Sequence, residues 1–291
     1  LNVPNVILLS PPRSFSSVTA AVLSQHPAFF GFPELNLAAT ETLGELLVLW
    51  KRMASLFRSE FPAGLGRALA HVEFGEQSSA GLLWARDWME ARRQWTTAEV
   101  WDFLAAAVRP RSVVEKSPLV VFQSDRIRRA IRHGREAALI HLSRHPVAAV
   151  RSMQRTYRKE GAAGAQECLH AWTIGHRNIL EATQGAALVW RVRGEDLLEE
   201  PRALWPRFFQ LLGMELSEGD LEAMLHPERW EFARVGPAEA AYANDDHFLK
   251  APVLRVGRQG GDESLAEGMA ALGVKDVPAA ALEVAQTLGY A

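Results

Sequence analysis

Short apolar runs alternate with amphipathic stretches along this chain, and the alternation predicts its elements. Val6-Ile7-Leu8-Leu9 is a continuous apolar run of strand length. A run without polar alternation reads as a strand buried on both faces. Ser10-Pro11-Pro12-Arg13-Ser14 breaks it, a helix follows from about Ser16 to Gln25, and His26-Pro27 stops that helix. From about Leu37 to Val108 the pattern is mostly helical. Further strands are predicted over Arg111–Glu115, Ala137–Leu142 and Ala187–Val192. Helices are predicted over Leu119–Arg132, Pro146–Lys159, Gln166–Thr183 and Pro201–Leu212, two of them opening on proline, which suits a first helical position. Strands alternating with helices predict an α/β fold: a parallel, P-loop-like sheet flanked by helices. From Glu231 to Asp262 the pattern dissolves among Gly236, Gly257, Gly260 and Gly261, as in a long functional lid. No linker-like boundary interrupts the chain. The expectation is one domain over 1–291, with a helical insertion at about 37–108 and a lid segment at about 231–262.

Composition narrows the chemistry. The 291 residues are 48% hydrophobic and 23% charged, an ordinary globular balance. The net charge of −2 supplies no bulk basic field for nucleic acid, so an anion must be bound locally. A single cysteine, Cys168, allows no internal disulfide and fits a reducing, cytoplasmic setting. No apolar run approaches a membrane span. The opening Leu1-Asn2-Val3-Pro4 has neither the charged nor the apolar region of a secretory leader. It does not start with Met, as expected of a chain trimmed or cut from a longer polypeptide. Metal-ligand spacings such as H-E-x-x-H or paired cysteines are not found in the sequence, and no metal is expected.

Two strand-to-helix junctions carry anion chemistry. In the first, Arg13, Ser14, Ser16 and Ser17 gather at a helix amino end, where unpaired N–H groups and the helix dipole favour negative charge. Arg13 adds a planar fork of donors suited to phosphate or sulfate. The plainer alternative is a serine helix cap beside a surface arginine. Walker-type binding fits less well, because the loop lacks the glycines and lysine of G-x-x-x-x-G-K-[ST]. In the second junction Arg144 leaves a strand end and Ser152 lies about two turns into the next helix, so both could converge on one anion at the carboxyl edge of the sheet. Two such sites suit a nucleotide phosphorylated at both its 5′ and 3′ positions.

Pro12-Arg13-Ser14-Phe15-Ser16-Ser17 resembles the 5′-phosphosulfate loop of sulfotransferases that use 3′-phosphoadenosine-5′-phosphosulfate (PAPS). Arg144-His145-Pro146 through Ser152 resembles their 3′-phosphate motif, with arginine and serine at the family spacing. Glu115-Lys116-Ser117-Pro118 is similar to the family's central lysine motif, and Glu195-Asp196-Leu197 to Phe208–Gly213 resembles a third stretch. The resemblance implies that Arg13, Ser14, Phe15, Ser16 and Ser17 hold the 5′-phosphosulfate and that Arg144 and Ser152 hold the 3′-phosphate. Glu34 would be the catalytic base and Lys116, with Arg13, the stabiliser of transition-state charge, as in the tyrosylprotein branch. Asn244 falls near that branch's last cofactor-contacting segment, and Arg255 to Gly260 echoes a glycine-rich closing motif. PAPS would be the donor and PAP (3′-phosphoadenosine-5′-phosphate) the product.

His26-Pro27 to Leu37 with Glu41-Thr42, Arg177-Asn178-Ile179-Leu180 and Phe248-Leu249-Lys250 further resemble the sulfotransferase domains of olefin-forming and curacin-type polyketide synthases. Those domains sulfate a β-hydroxyacyl chain on an acyl carrier protein. This sequence departs from the family in three places. Phe15 stands where Gly is usual, Gly194 where many relatives have Tyr, and Ala251 where the polyketide relatives have His. The competing acceptors are a free alcohol, a phenol or a peptide tyrosine, and the competing class is a non-catalytic module that binds nucleotide or carrier. Trp84, Trp88, Trp95 and Trp101 could line an acceptor groove, with core packing favoured for at least half of them. His247 is the histidine candidate for acceptor contact.

Overall fold

A computed structural model describes residues 3–57, 59–241, 245–254 and 263–290. Strand β1 (Val6–Leu9) leads into helix α1 (Ser16–Leu23) and then into β2 (Phe29–Gly31). The helical insertion holds α2 (Leu43–Arg52), α3 (Ala54–Phe57), α4 (Ala63–Phe74), α5 (Ser79–Ala91) and α6 (Thr97–Ala107). Next come β3 (Ser112–Lys116), a 3-10 turn at Pro118–Phe122, α7 (Ser124–Gly134), β4 (Ala138–Ser143), α8 (Pro146–Tyr157), α9 (Gly161–Ala182) and β5 (Val189–Arg193). Further helices follow among the described residues: α10 (Gly194–Glu199), α11 (Pro201–Leu211), α12 (Glu218–Met224), α13 (Asp246–Lys250), α14 (Leu265–Ala271) and α15 (Ala279–Thr287).

Among the described residues the strands form one parallel sheet in the order β2-β3-β1-β4-β5. The α/β expectation from the sequence therefore holds. All four β1 residues are buried, as the central strand of a covered parallel sheet requires. Beside it, Leu8 pairs with Lys116 of β3, and Leu9 pairs with His141 of β4. This register brings the carboxyl ends of β1, β3 and β4 to one edge, where open α/β sheets present their ligand sites. The sheet and the insertion share one hydrophobic core. A second cluster joins α8 and α9 to α14 and α15 through Met153, Leu169, Trp172, Met269 and Val284.

The structure also differs from the sequence pattern in places. Phe29–Gly31 is a strand, although its position just after His26-Pro27 reads as a helix stop. The helix predicted over Leu119–Arg132 splits into the 3-10 turn and α7, which starts at Ser124. In the segment predicted as a lid, Ala238–Ala240 forms a 3-10 turn and Asp246–Lys250 forms α13. Asn244 and residues 255–260 lie outside the described residues.

Candidate active site

The β1–α1 junction adopts a rare backbone. Arg13 and Phe15 both sit at positive φ, 68° and 65°, a region that favours glycine. Despite three nearby serines, no side chain caps α1. Its first N–H groups therefore stay available at the sheet edge, which favours the anion reading over the serine-cap alternative. Ser14 is fully buried, and its hydroxyl has no hydrogen-bond partner among the described residues.

Arg13 is the hub of the site. Its Nε donates to Ser152 Oγ at 3.0 Å, and its guanidinium pairs with Asp245 Oδ1 at 2.6 Å. Its backbone carbonyl accepts from Arg144 at 2.8 Å. The two predicted anion loops are thus joined: Arg144 and Ser152 both reach Arg13. Ser152 Oγ accepts from Arg13 and so keeps its own O–H for another acceptor. Phe15 lies in the left-handed conformation with its ring 4.4 Å from the Arg144 guanidinium carbon. A Cβ placed on Gly194 would come 2.5 Å from that ring. Phe15 and Gly194 thus fit together as large and small neighbours. Burial brings the Arg144 guanidinium down to about 10, which leaves it cationic at neutral pH.

The third part of the site comes from β3. Lys116 is buried, and its Nζ donates to Ser17 Oγ at 2.8 Å and to Glu34 Oε1 at 2.6 Å. A lysine nearly sealed from solvent needs such a charged partner. Glu34 is more open, with 27% of its side chain exposed. Its carboxylate therefore contacts both the lysine and the solvent-filled side of the site. Gly64 allows the Glu34 loop to lie close, since a Cβ there would fall 2.1 Å from Glu34 O.

These elements open on a cleft of about 1150 Å³. Its walls include Arg13 to Ser17, Glu34, Trp50, Leu119, Phe122 and Tyr157, and its rim carries Arg155, Arg158, Lys159 and Lys250. The lining mixes apolar side chains with cations and with the acids Glu34, Glu167, Asp245 and Asp246. Arg144, Ser152 and Lys116 stand behind this wall rather than in it. His247 lines the cleft, whereas Trp84, Trp88, Trp95 and Trp101 do not. Trp88 and Trp101 are buried core residues, and Trp84 and Trp95 pack against that core. Trp50 is the tryptophan at the cleft.

The sequence pattern did not single out Asp245 or Tyr290, and it gave Glu115 and Glu195 a place in motifs but no role. Burial raises the Asp245 carboxyl. The Arg13 charge and hydrogen bond, with the His247 N–H, outweigh that and hold it below its ordinary value. Glu195 accepts from the His145 N–H at 2.9 Å and from the Tyr290 hydroxyl at 3.0 Å, and so ties the Arg144 turn to the segment that follows helix α15. His141 is buried and hydrogen-bonds His176 at 2.9 Å, a structural pair whose rings burial keeps neutral.

A family model described as "Sulfotransferase family" matches residues 4–218. The chain belongs to the sulfotransferase family. Two solved structures share its fold over nearly their whole length. The sulfotransferase domain of the Synechococcus PCC 7002 olefin synthase has a TM-score of 0.73 and 24% identity, covering 99% of this chain and 95% of that chain. The sulfotransferase domain of the curacin biosynthetic pathway has a TM-score of 0.74 and 20% identity, covering 100% and 99%. No curated protein matches the sequence. As a sulfotransferase the chain is an enzyme of group transfer. Among the described residues no group of ligating side chains could hold a metal ion, and no helix is long and apolar enough to cross a membrane.

Proposed function

We propose that this sulfotransferase takes a sulfuryl group from PAPS and places it on the hydroxyl of a β-hydroxyacyl, polyketide-type chain presented by an acyl carrier protein. The observation that carries the reading is Lys116, which bridges Ser17 of the anion loop and Glu34 of the cleft wall. Donor loop and base are thereby held to one cation. The donor set fits a nucleotide with two anionic ends. The unpartnered Ser14 hydroxyl and the uncapped start of α1 suit the 5′-phosphosulfate, with Arg13, Phe15, Ser16 and Ser17. Arg144 and the free O–H of Ser152 suit the 3′-phosphate. When bound, PAPS supplies an activated sulfuryl group on a nucleotide leaving group.

Glu34 accepts the proton of the acceptor hydroxyl at its carboxylate. Once protonated, Glu34 no longer neutralises Lys116, whose Nζ stays fixed by Ser17 and can meet negative charge. Arg13 adds a second guanidinium charge at the same loop once a bound anion competes with its partner Asp245. Trp50, Leu119 and Phe122 suit an acyl chain, Arg155, Arg158 and Lys250 suit an anionic arm, and the fold of the olefin-synthase and curacin domains supports the carrier-bound acceptor. We also read residues 1–291 as a single sulfotransferase domain that works in the cytoplasm, with the cleft-lining α13 region closing over the acceptor.

Calorimetric titration tests the donor. PAP should bind tightly, its analogue without the 3′-phosphate should bind far more weakly, and Arg144→Ala should cost PAP about ten- to hundredfold in affinity. Equal binding of both nucleotides by the wild type would overturn the donor assignment.

A further inference from the structure

β3 ends in Glu115-Lys116-Ser117, and these neighbours have different destinations. Lys116 reaches Ser17 and Glu34. Glu115 and Ser117 are buried beneath the loop that carries Glu34. The Glu115 carboxyl accepts the Ser117 hydroxyl. Ser117 Oγ in turn accepts the Asn36 N–H at 2.8 Å. One buried carboxyl group therefore holds the Asn36 N–H of the Glu34 turn through the Ser117 hydroxyl.

The loop needs that hold. Asn36 is at φ 54°, in the left-handed region, and its side chain donates back to Glu34 O at 3.2 Å. Leu35 is fully buried, while the Glu34 carbonyl rests against Gly64. Without the hydroxyl of Ser117, the buried Asn36 N–H would lack its acceptor, and such groups do not stay unpaired cheaply. The turn would shift to find one, and Glu34 would shift with it.

We infer that Glu115 and Ser117 are positioning residues, which act through the 34–36 turn to fix the Glu34 carboxylate against Lys116. The inference rests on Glu34 being the base. Neither residue touches the cleft. Their effect should fall on the chemical step and spare nucleotide binding, because misplacing a catalytic group by about 1 Å can cost about a hundredfold in rate.

The test compares the wild type with Ser117→Ala and Ser117→Thr, using PAPS and an N-acetylcysteamine thioester of a 3-hydroxyacyl chain as the acceptor probe. Ser117→Ala should lower kcat by about ten- to hundredfold. Its Kd for PAP should stay within about twofold, well under the tenfold that 1.4 kcal/mol represents. Ser117→Thr, which keeps the hydroxyl, should restore most of the rate. Unchanged kcat in Ser117→Ala, or loss of PAP binding in step with kcat, would overturn the inference. Crystal structures of the wild type and Ser117→Ala give a readout that needs no turnover. The Glu34–Lys116 contact should be present in the first and broken in the second, and a contact kept in both would overturn the inference. A wild type that binds PAP but sulfates no alcohol would instead count against the proposed function, and the crystallographic comparison would still decide the positioning role.

Discussion

The two sides of the cleft solve the same task by opposite means. Each turns a parallel strand into a helix and places an arginine at the junction. The β1–α1 turn holds Arg13 and Phe15 at positive φ, which costs about 1–2 kcal/mol for each L-residue with a side chain. In the β4–α8 turn no residue has positive φ, and Pro146 starts the helix in its preferred conformation. The β4 side is pinned from behind. The Arg144 carbonyl accepts from Trp172 Nε1 at 3.0 Å, and the His145 N–H is held by Glu195. The strained side then leans on the relaxed one, through Arg144 on the Arg13 carbonyl, Ser152 on Arg13 Nε and the Phe15 ring on Arg144. The β1–α1 loop keeps its unusual shape because its neighbour is rigid. Changes behind the β4 turn should therefore reach the β1–α1 loop.

The largest expected effect comes from the charge stored on the β3 side. Burial pushes the Glu115 carboxyl up to about 7 from 4.5, with Ser117 and Lys116 opposing and the Glu34 carboxylate adding to the rise. Between those two values the folded state keeps a proton that the unfolded chain has released. Its contribution to stability is therefore complete below pH 4.5 and is lost as pH rises through about 7. The full loss is on the order of 3 kcal/mol by linkage. Buried His133 and His141, whose rings burial lowers to about 4 and about 3, act in the opposite sense and destabilise the fold as acid charges them. A difference measurement separates the two. Urea unfolding of the wild type and Glu115→Gln from pH 4.5 to 8 should show the variant gaining relative stability as pH rises, and a difference independent of pH would refute the assignment.

A smaller effect tests the bridge between the two sides. Gly194 begins α10 on the β5 edge, and any Cβ there meets the Phe15 ring at 2.5 Å. Gly194→Ala should cost about 2 kcal/mol as overpacking. The alternative is that the ring swings away, and it then abandons Arg144. Phe15→Gly frees the space and the left-handed strain together, so adding it should recover most of that loss. Double-mutant cycles by thermal unfolding should therefore give a coupling of more than about 1 kcal/mol, and simple additivity would show that the ring does not occupy that space.

What the sequence made legible follows from the range of each interaction. β1, β3, β4 and β5 showed themselves because short segments rich in Val, Ile and Leu between turn and helix signals are a local signal, continuous in β1 and interrupted by polar residues in the others. β2 did not, because three residues beside a proline carry too little pattern, and its strand state comes from pairing with Ser112 to Val114. Arg13, Glu34, Lys116 and Arg144 stood out through ordered family spacing, and the structure gathers them at one sheet edge. Their partners were hidden. Tyr290 meets Glu195 across 95 positions and Asp245 meets Ser17 across 228, and neither separation leaves a trace in composition or period. Glu115 did have a signal: an acid beside a lysine at the end of a valine-rich strand is expensive to bury unless both are partnered.

The smallest expected effect asks how far behind the β4 turn the support extends. The Tyr290 hydroxyl lies 3.0 Å from Glu195 Oε2 and 3.1 Å from Ser143 Oγ. Burial and the neighbouring Glu195 charge hold that hydroxyl well above its ordinary value, so it remains a donor throughout the working range. Tyr290→Phe keeps the ring against His145 and deletes only the donor. The cost should be about 1 kcal/mol, or about 2 °C in Tm for a chain of this size. Glu195 would keep its bond to the His145 N–H with less to orient it, so the preference for nucleotides carrying a 3′-phosphate should weaken about two- to threefold. Because the strained loop leans on Arg144, 5′-end affinity should slip in the same direction and by less. A Tyr290→Phe variant with the wild-type Tm and unchanged 3′-phosphate preference would mean that rigidity on the β4 side ends at Glu195 and Trp172, and that the segment following α15 contributes nothing to the site.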